Sequence, residues 1–146
     1  MANHVRQQLR EAVATAVTGL STTGSRVYQS RVYPLTDSNL PCLLVTSDGD
    51  KSEAITVHSP YQQERATTIR IEGVAKALSN IDDTLDTISK EVETAIAGSS
   101  TAIVKGLFYQ GAQIDYDGSG EQPIGKVTMI FTKDLYTLSN APDVLI

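Results

Sequence analysis

The sequence predicts an α+β fold: a two-layer sandwich with a mostly antiparallel sheet and two main helices packed on one of its faces. Three observations carry this. Two segments, one at each side of the first strand group, repeat apolar residues every three and four positions. Several segments between and after them alternate with period two. The order α, several β, α, β keeps the strands in runs rather than interleaved singly with helices, which is the pattern of a layered α+β domain.

Residues 3–17 read as the first helix. Val5, Leu9, Ala12, Val13, Ala16 and Leu20 make one stripe, and Arg6, Gln7, Arg10, Glu11 and Thr15 take the other side. Asn3 is the expected cap, and Gly19 stands where a left-handed residue would end the helix. Residues 21–24 are a turn cluster. Residues 26–33 are strand-like through Val27, Tyr28, Val32 and Tyr33, and Pro34 ends them. Residues 37–39 read as loop. Residues 41–46 hold Leu43, Leu44 and Val45 in a continuous apolar run, which predicts a strand buried on both faces. Residues 47–53 read as a polar turn, and residues 54–58 alternate around Ile55 and Val57 until Pro60.

Residues 67–76 are the clearest strand: Thr67, Ile69, Ile71, Gly73 and Ala75 face one way. The second helix follows. Ser79 and Asp82 have capping-box spacing, Asp82 and Asp83 suit the positive helix end, and Ile81, Leu85, Ile88, Val92, Ala95 and Ile96 form the stripe before Gly98. Residues 103–109 are open between a short strand and a docked turn. Residues 112–117 alternate with Ala112, Ile114 and Tyr116 inward, and residues 126–136 with Val127, Met129 and Phe131 inward. Residues 118–123 between them form a hairpin loop. Residues 1–138 are one domain, and residues 139–146, with Pro142 inside, are an irregular tail.

Composition narrows the function. The chain has 146 residues, 12 Lys plus Arg and 17 Asp plus Glu, for a net charge of −5. A basic nucleic-acid binder is disfavoured, because phosphate binding needs a positive surface. Cys42 is the single cysteine, so no internal disulfide forms and a reducing compartment fits. Arg6, Arg10 and Glu11 interrupt any signal-peptide core, and no apolar run is long enough to span a membrane, so a soluble protein of the host cytosol is expected. Residues 1–76 carry 8 basic and 7 acidic side chains, a net +1, whereas residues 77–146 carry 4 and 10, a net −6. The plain reading is a solvated acidic face; the sharper one is a surface that repels an anion.

Residue by residue, catalytic chemistry is missing. Asp115, Asp117, Ser119 and Gly120 match the start of a calcium loop, but Lys126 stands where a bidentate carboxylate is needed, and the flanks are strands. Asp48, Asp50 and Ser52 match less well. His4, His58 and Cys42 lie on separate elements, too few and too scattered for zinc, and Cys42 reads as a small core residue. There is no nucleophile elbow and no nucleotide-binding glycine loop. Asp82, Asp83 and Asp86 read as helix-capping charges before acid–base catalysts. No catalytic residue, metal site or cofactor is expected, and an interaction protein remains by elimination.

One further signal is a resemblance. Ser30-Arg31-Val32-Tyr33-Pro34-Leu35, then Leu40-Pro41-Cys42-Leu43-Leu44-Val45 and the acidic stretch through Glu53, resembles the tail terminator proteins of long-tailed bacteriophages. The helix with Val5, Arg6 and Leu9, the Thr22-Thr23-Gly24 turn, the helix start from Ile81 to Asp86 and Pro123-Ile124-Gly125 are similar too. The resemblance implies a non-enzymatic virion protein at the head-proximal end of the tail. It would form a homo-hexameric ring that caps the tail tube, stops polymerisation of the tube protein and joins a head-completion or stopper protein of the neck. Genome DNA would pass through without specific binding, and no membrane is involved. Beside that role, Asp48, Asp50, Lys51 and Glu53 are the candidate tube or neck contact loop. Asp115, Asp117 and Glu121 are candidate acidic residues of the lumen, and Val144, Leu145 and Ile146 a candidate subunit contact. The alternatives are another neck component, a small enzyme using Asp82, Asp86, His58 and tyrosines, or an acidic mimic of nucleic acid.

Overall fold

The computed structural model describes residues 2–29, 39–117 and 123–146. Its elements are α1 (Val5–Ala16), β1 (Val27–Tyr28), β2 (Cys42–Ala54), β3 (Gln62–Lys76), α2 (Ile81–Ala97), β4 (Phe108–Asp117) and β5 (Ile124–Leu138). The strands form one sheet in the order β1-β2-β3-β5-β4. β1 runs parallel to β2, and the other pairings are antiparallel. Both helices lie on one face, so the α+β architecture expected from the periodicities is the one observed.

The core sits between the layers. Val5, Leu9 and Val13 of α1 and Leu85, Ile88, Val92 and Ile96 of α2 close on Leu43, Val45, Ile69, Ile71, Val127, Met129 and Phe131 of the sheet. These are the residues that period 3.6 and period 2 select. Residues 42–46 are buried throughout, because a second small cluster of Cys42, Leu44 and Val74 covers the opposite face there. Two glycines set how closely α2 approaches. A Cβ on Gly73 would stand 2.6 Å from Ile88 Cγ2 and 3.1 Å from Val127 Cγ1; one on Gly125 would stand 2.6 Å from Ile81 Cγ1. Gly73→Val should therefore lower the unfolding free energy by about 1–3 kcal/mol through overpacking. Urea unfolding reads this directly, and an unchanged midpoint would mean that α2 can lift off the sheet without loss.

Several expectations are corrected. His4, not Asn3, caps α1: its Nδ1 accepts the Arg6 backbone N–H at 3.1 Å. Burial, with the Arg6 and Arg65 charges nearby, holds its pKa below the ordinary value, which suits an unprotonated acceptor. Gly19 does adopt a positive φ of 90° just past the helix. At α2 the capping box is not formed; Asn80 is the cap and makes no side-chain cap bond, while Asp82 and Asp83 occupy the first turn as expected. Residues 101–107 are a turn with Val104 buried, and the next strand starts at Phe108.

The largest correction concerns residues 47–53. They are not a turn but the second half of β2, paired with β3 from Ser47↔Ile69 to Ala54↔Gln63. Conversely, the alternation at residues 55–58 is no strand, and Ile55 and Val57 are exposed. Long backbone pairing, not apolar content, holds this polar arm. Of the expected strand at residues 26–33 only β1 is seen; its continuation, Pro34 and most of the following loop fall in residues 30–38, outside the described residues. Most of the expected hairpin loop, residues 118–122, is also outside them. β4 and β5 pair antiparallel up to Asp117↔Ile124 on either side of it.

Candidate functional site

Asp48, Asp50, Lys51 and Glu53 do not share a loop. Between Ser47 and Gly49 the β2–β3 register shifts by one residue, and Gly49 takes a φ of 97° that disfavours a side chain. The extra residue, Asp48, is on the face away from the helices, where Arg70 donates to its Oδ2 at 3.1 Å. After the bulge Asp50 stands opposite Thr67 on the helix-covered face. There Arg6 Nη1 and Arg65 Nη1 both donate to Asp50 Oδ2, at 3.1 and 3.0 Å. Arg65 also donates to Thr137 Oγ1 and Gln63 Oε1, each at 3.0 Å. Two of the four candidates are thus tied into ion pairs of their own chain, whereas Lys51 and Glu53 are exposed near the end of the arm.

Asp115 and Asp117 lie on β4, both exposed; Glu121 is outside the described residues. Asp115 stands opposite Lys126, whose Nζ lies 3.7 Å from Glu72 Oε2, and Arg70 Nη1 lies 3.9 Å from Glu72 Oε1. The helix-free face therefore carries a row of alternating charges across four strands, Asp48, Arg70, Glu72, Lys126 and Asp115. It is not a uniformly acidic wall.

Residues 139–146 form no helix or strand and are tied down. Pro142 O accepts the Val5 N–H at 3.0 Å, satisfying one of the open donors at the start of α1. Asp143 O accepts from Gln8 Nε2, and the Ile146 N–H donates to Tyr136 O. Val144, Leu145 and Ile146 are still exposed.

The structure adds a surface that alternation alone does not find. Ala112, Ile114 and Tyr116 do point to the helix side, opposite Met129, Val127 and Gly125. They are exposed all the same, because no helix covers β4 there. With Phe108 and Tyr109 they make an apolar border along the sheet's terminal strand. β4 contains neither Lys nor Pro, the residues that commonly blunt an edge strand. Beside it, α2 presents Asp82, Asp86 and Glu93: the Tyr116 hydroxyl donates to Asp82 Oδ1, and Ser89 donates to Glu93 at 2.9 Å. The Asp82 bond raises the Tyr116 pKa, and burial, then the Glu93 charge, raise that of Tyr109.

None of these sites is arranged for catalysis. Asp82, Asp83 and Asp86 are exposed on α2, and His58 is in an exposed segment. A shallow groove of about 400 Å³ lies on the helix-free face, lined by Arg70, Gln110, Gln113, Thr128 and Ile130 among others. Among the described residues no group of three or more His, Cys, Asp or Glu could hold a metal ion, and no helix is long and apolar enough to cross a membrane. Burial pushes the Cys42 thiol up to about 11, so it stays protonated.

No protein-family model matches this sequence, and no curated protein matches it. Among solved structures, the chain is similar to one from the virion of a native gene transfer agent particle, with 17% identity, 92% of each chain covered and a TM-score of 0.48.

Proposed function

We propose that this chain is a structural subunit of a phage-like tail, a tail terminator that assembles into a hexameric ring on the tail tube. In this role it ends polymerisation of the tube protein and offers its other side to a head-completion or stopper protein. The observation that carries the reading is the bare β4 border, with Phe108, Tyr109, Ile114 and Tyr116 exposed along an edge strand. Such a border suits a repeated lateral contact better than an isolated chain. The resemblance of residues 40–53 and 81–86 to tail terminators agrees with it, as does the lack, among the described residues, of a convergent acid–base or nucleophilic set.

Asp115 and Asp117 remain the lumen candidates. In a ring whose helix-free sheet face looks inward, carboxylates opposed by Lys126 and Arg70 would keep DNA from sticking without charging the whole wall. Lys51 and Glu53, exposed at the end of the β2 arm, are the tube or neck contacts. Val144, Leu145 and Ile146 are a second subunit contact.

The test is the native mass of the purified protein alone and with tail tubes, together with the length of tubes grown in its presence. A six-fold species, alone or on tube ends, with arrested tube growth is expected. A strict monomer that leaves tube growth unchanged would overturn the reading. Ring formation without arrest would favour the stopper or head-completion role.

A further inference from the structure

The helix layer is narrower than the sheet. A helix covers about two strands, since helices pack about 8–10 Å apart and strands lie about 4.8 Å apart. α1 rests on β2, and α2 on β3 and β5, so β4 at the end of the sheet is left bare. Its helix-side residues Tyr109, Ala112, Ile114 and Tyr116 stand opposite Phe131, Met129, Val127 and Gly125, yet all four are exposed. α2 runs alongside this strip in the opposite direction. The Tyr116 hydroxyl donates to Asp82 Oδ1 near the start of α2. The Glu93 charge acts on Tyr109, about 16 Å further along the helix axis. Asp82, Asp86, Ser89 and Glu93, spaced by four, three and four, thus line the flank of α2 that looks over β4. Among the described residues none of these three carboxylates has an ion-pair partner. The lysine of α2, Lys90, lies on the side of Gly19 and Leu20.

We propose that the bare face of β4 takes an amphipathic helix from another protein, which lies beside α2 as the third helix of the layer. Its apolar stripe covers Tyr109, Ala112, Ile114 and Tyr116. Lys or Arg at spacings of three and four meet Asp82, Asp86 and Glu93, their stems lying over Ile114 and Ala112. The inference rests on the tail reading for its partner: each copy of the ring receives one such helix from a protein of the tube or neck. Shape selects a helix, because the vacant place is one helix wide and the carboxylates repeat at helical spacing. Charge selects a foreign one. α1 and α2 of a second copy already bury their apolar stripes on their own sheet. A second β4 border would set the same carboxylates against one another. The other exposed apolar groups bring no excess of cations: residues 51–63, with Ile55 and Val57, have a net charge of 0, and residues 139–146 a net −1.

The probe is a labelled synthetic peptide about four turns long, with leucine along one stripe and lysine beside it at helical spacing. Binding to the full chain is read by fluorescence anisotropy, and peptide helicity by circular dichroism. Binding with a gain in helicity is expected, and the same peptide with glutamate for lysine should not bind. Asp86→Lys should weaken binding about tenfold. Asp83→Lys makes the same change in charge, but Asp83 lies beside Thr22 and Thr84 on the far side of α2, so binding should stay within about twofold. Ile114→Asn should weaken it with the charges untouched. Equal losses in the two lysine variants would reduce the effect to the chain's overall acidity and overturn the proposal. Binding without helicity, which means a strand added to the β4 edge, would also overturn it, as would no binding. Arrest of tube growth is scored separately. Arrest by a protein that ignores the peptide removes the helix site and leaves the tail reading standing; peptide binding by a protein that arrests nothing keeps the site and removes the tail reading.

Discussion

Replacing Asp50 with alanine should lower the unfolding free energy by about 3 kcal/mol at neutral pH. The Arg65 and Asp50 side chains are each only 10% exposed, so the substitution leaves a guanidinium charge in a nearly water-free place. Thr137 and Gln63 keep two of its hydrogen bonds, which holds the loss near the lower end for a broken buried pair. Arg6, 39% exposed, adds little, since solvent screens its share. The effect has a pH signature. Burial alone would raise the Asp50 pKa, but the hydrogen bonds from Arg65 and Arg6 outweigh it and hold the carboxyl below its ordinary 3.8. A depressed carboxylate contributes stability that is fully present above the unfolded value and is lost as pH falls through the folded one. Urea midpoints of the parent and Asp50→Ala should therefore differ at pH 7 and converge in acid below pH 3.8. Equal midpoints at pH 7 would show that the pair contributes nothing net.

Phe131→Ala should cost more, about 3–5 kcal/mol. Among the described residues Phe131 is the bulkiest of the fully buried side chains, at the centre of β5 in the core between the helices and the sheet. Alanine there leaves a cavity in the middle of the core. Its ring also meets Tyr109 at a centroid distance of 5.5 Å and an interplanar angle of 52°. Tyr109→Ala serves as the contrast: it removes the same ring pair from an exposed position and should cost about 1 kcal/mol. Calorimetry of the two variants checks the ratio. Similar losses would mean that the β4 border is part of the core and not a bare edge.

The helices and the long central strands were legible because their signals are local. Residues 67–76 show period two without interruption, and the stripe from Ile81 to Ile96 keeps its helical spacing. The arm at residues 47–54 was not legible, since its backbone pairing is dictated by β3 and its side chains are polar. Asp50 was singled out as part of a loop, and it lies on β2. Its partners, Arg6 and Arg65, are 44 and 15 residues away, a distance at which a sequence offers no phase relation. The β4 border was half legible: alternation names the face toward which Ile114 and Tyr116 point, but it cannot say whether a helix reaches far enough to cover them. His4 was weighed as a metal ligand because a histidine's capping role depends on one ring nitrogen and a backbone turn.

The bulge at Asp48 and Gly49 has a consequence for how the arm can change in length. Asp48 is the surplus residue: Ser47 and Gly49 already face consecutive partners, Ile69 and Thr68. Removing it would forfeit the bond to Arg70 and leave every later residue on its present side. A deletion two or three positions further on would instead turn the rest of the arm over relative to β3. The strand thus holds one residue in reserve, and growth or shrinkage of the arm is absorbed at that point and not beyond it.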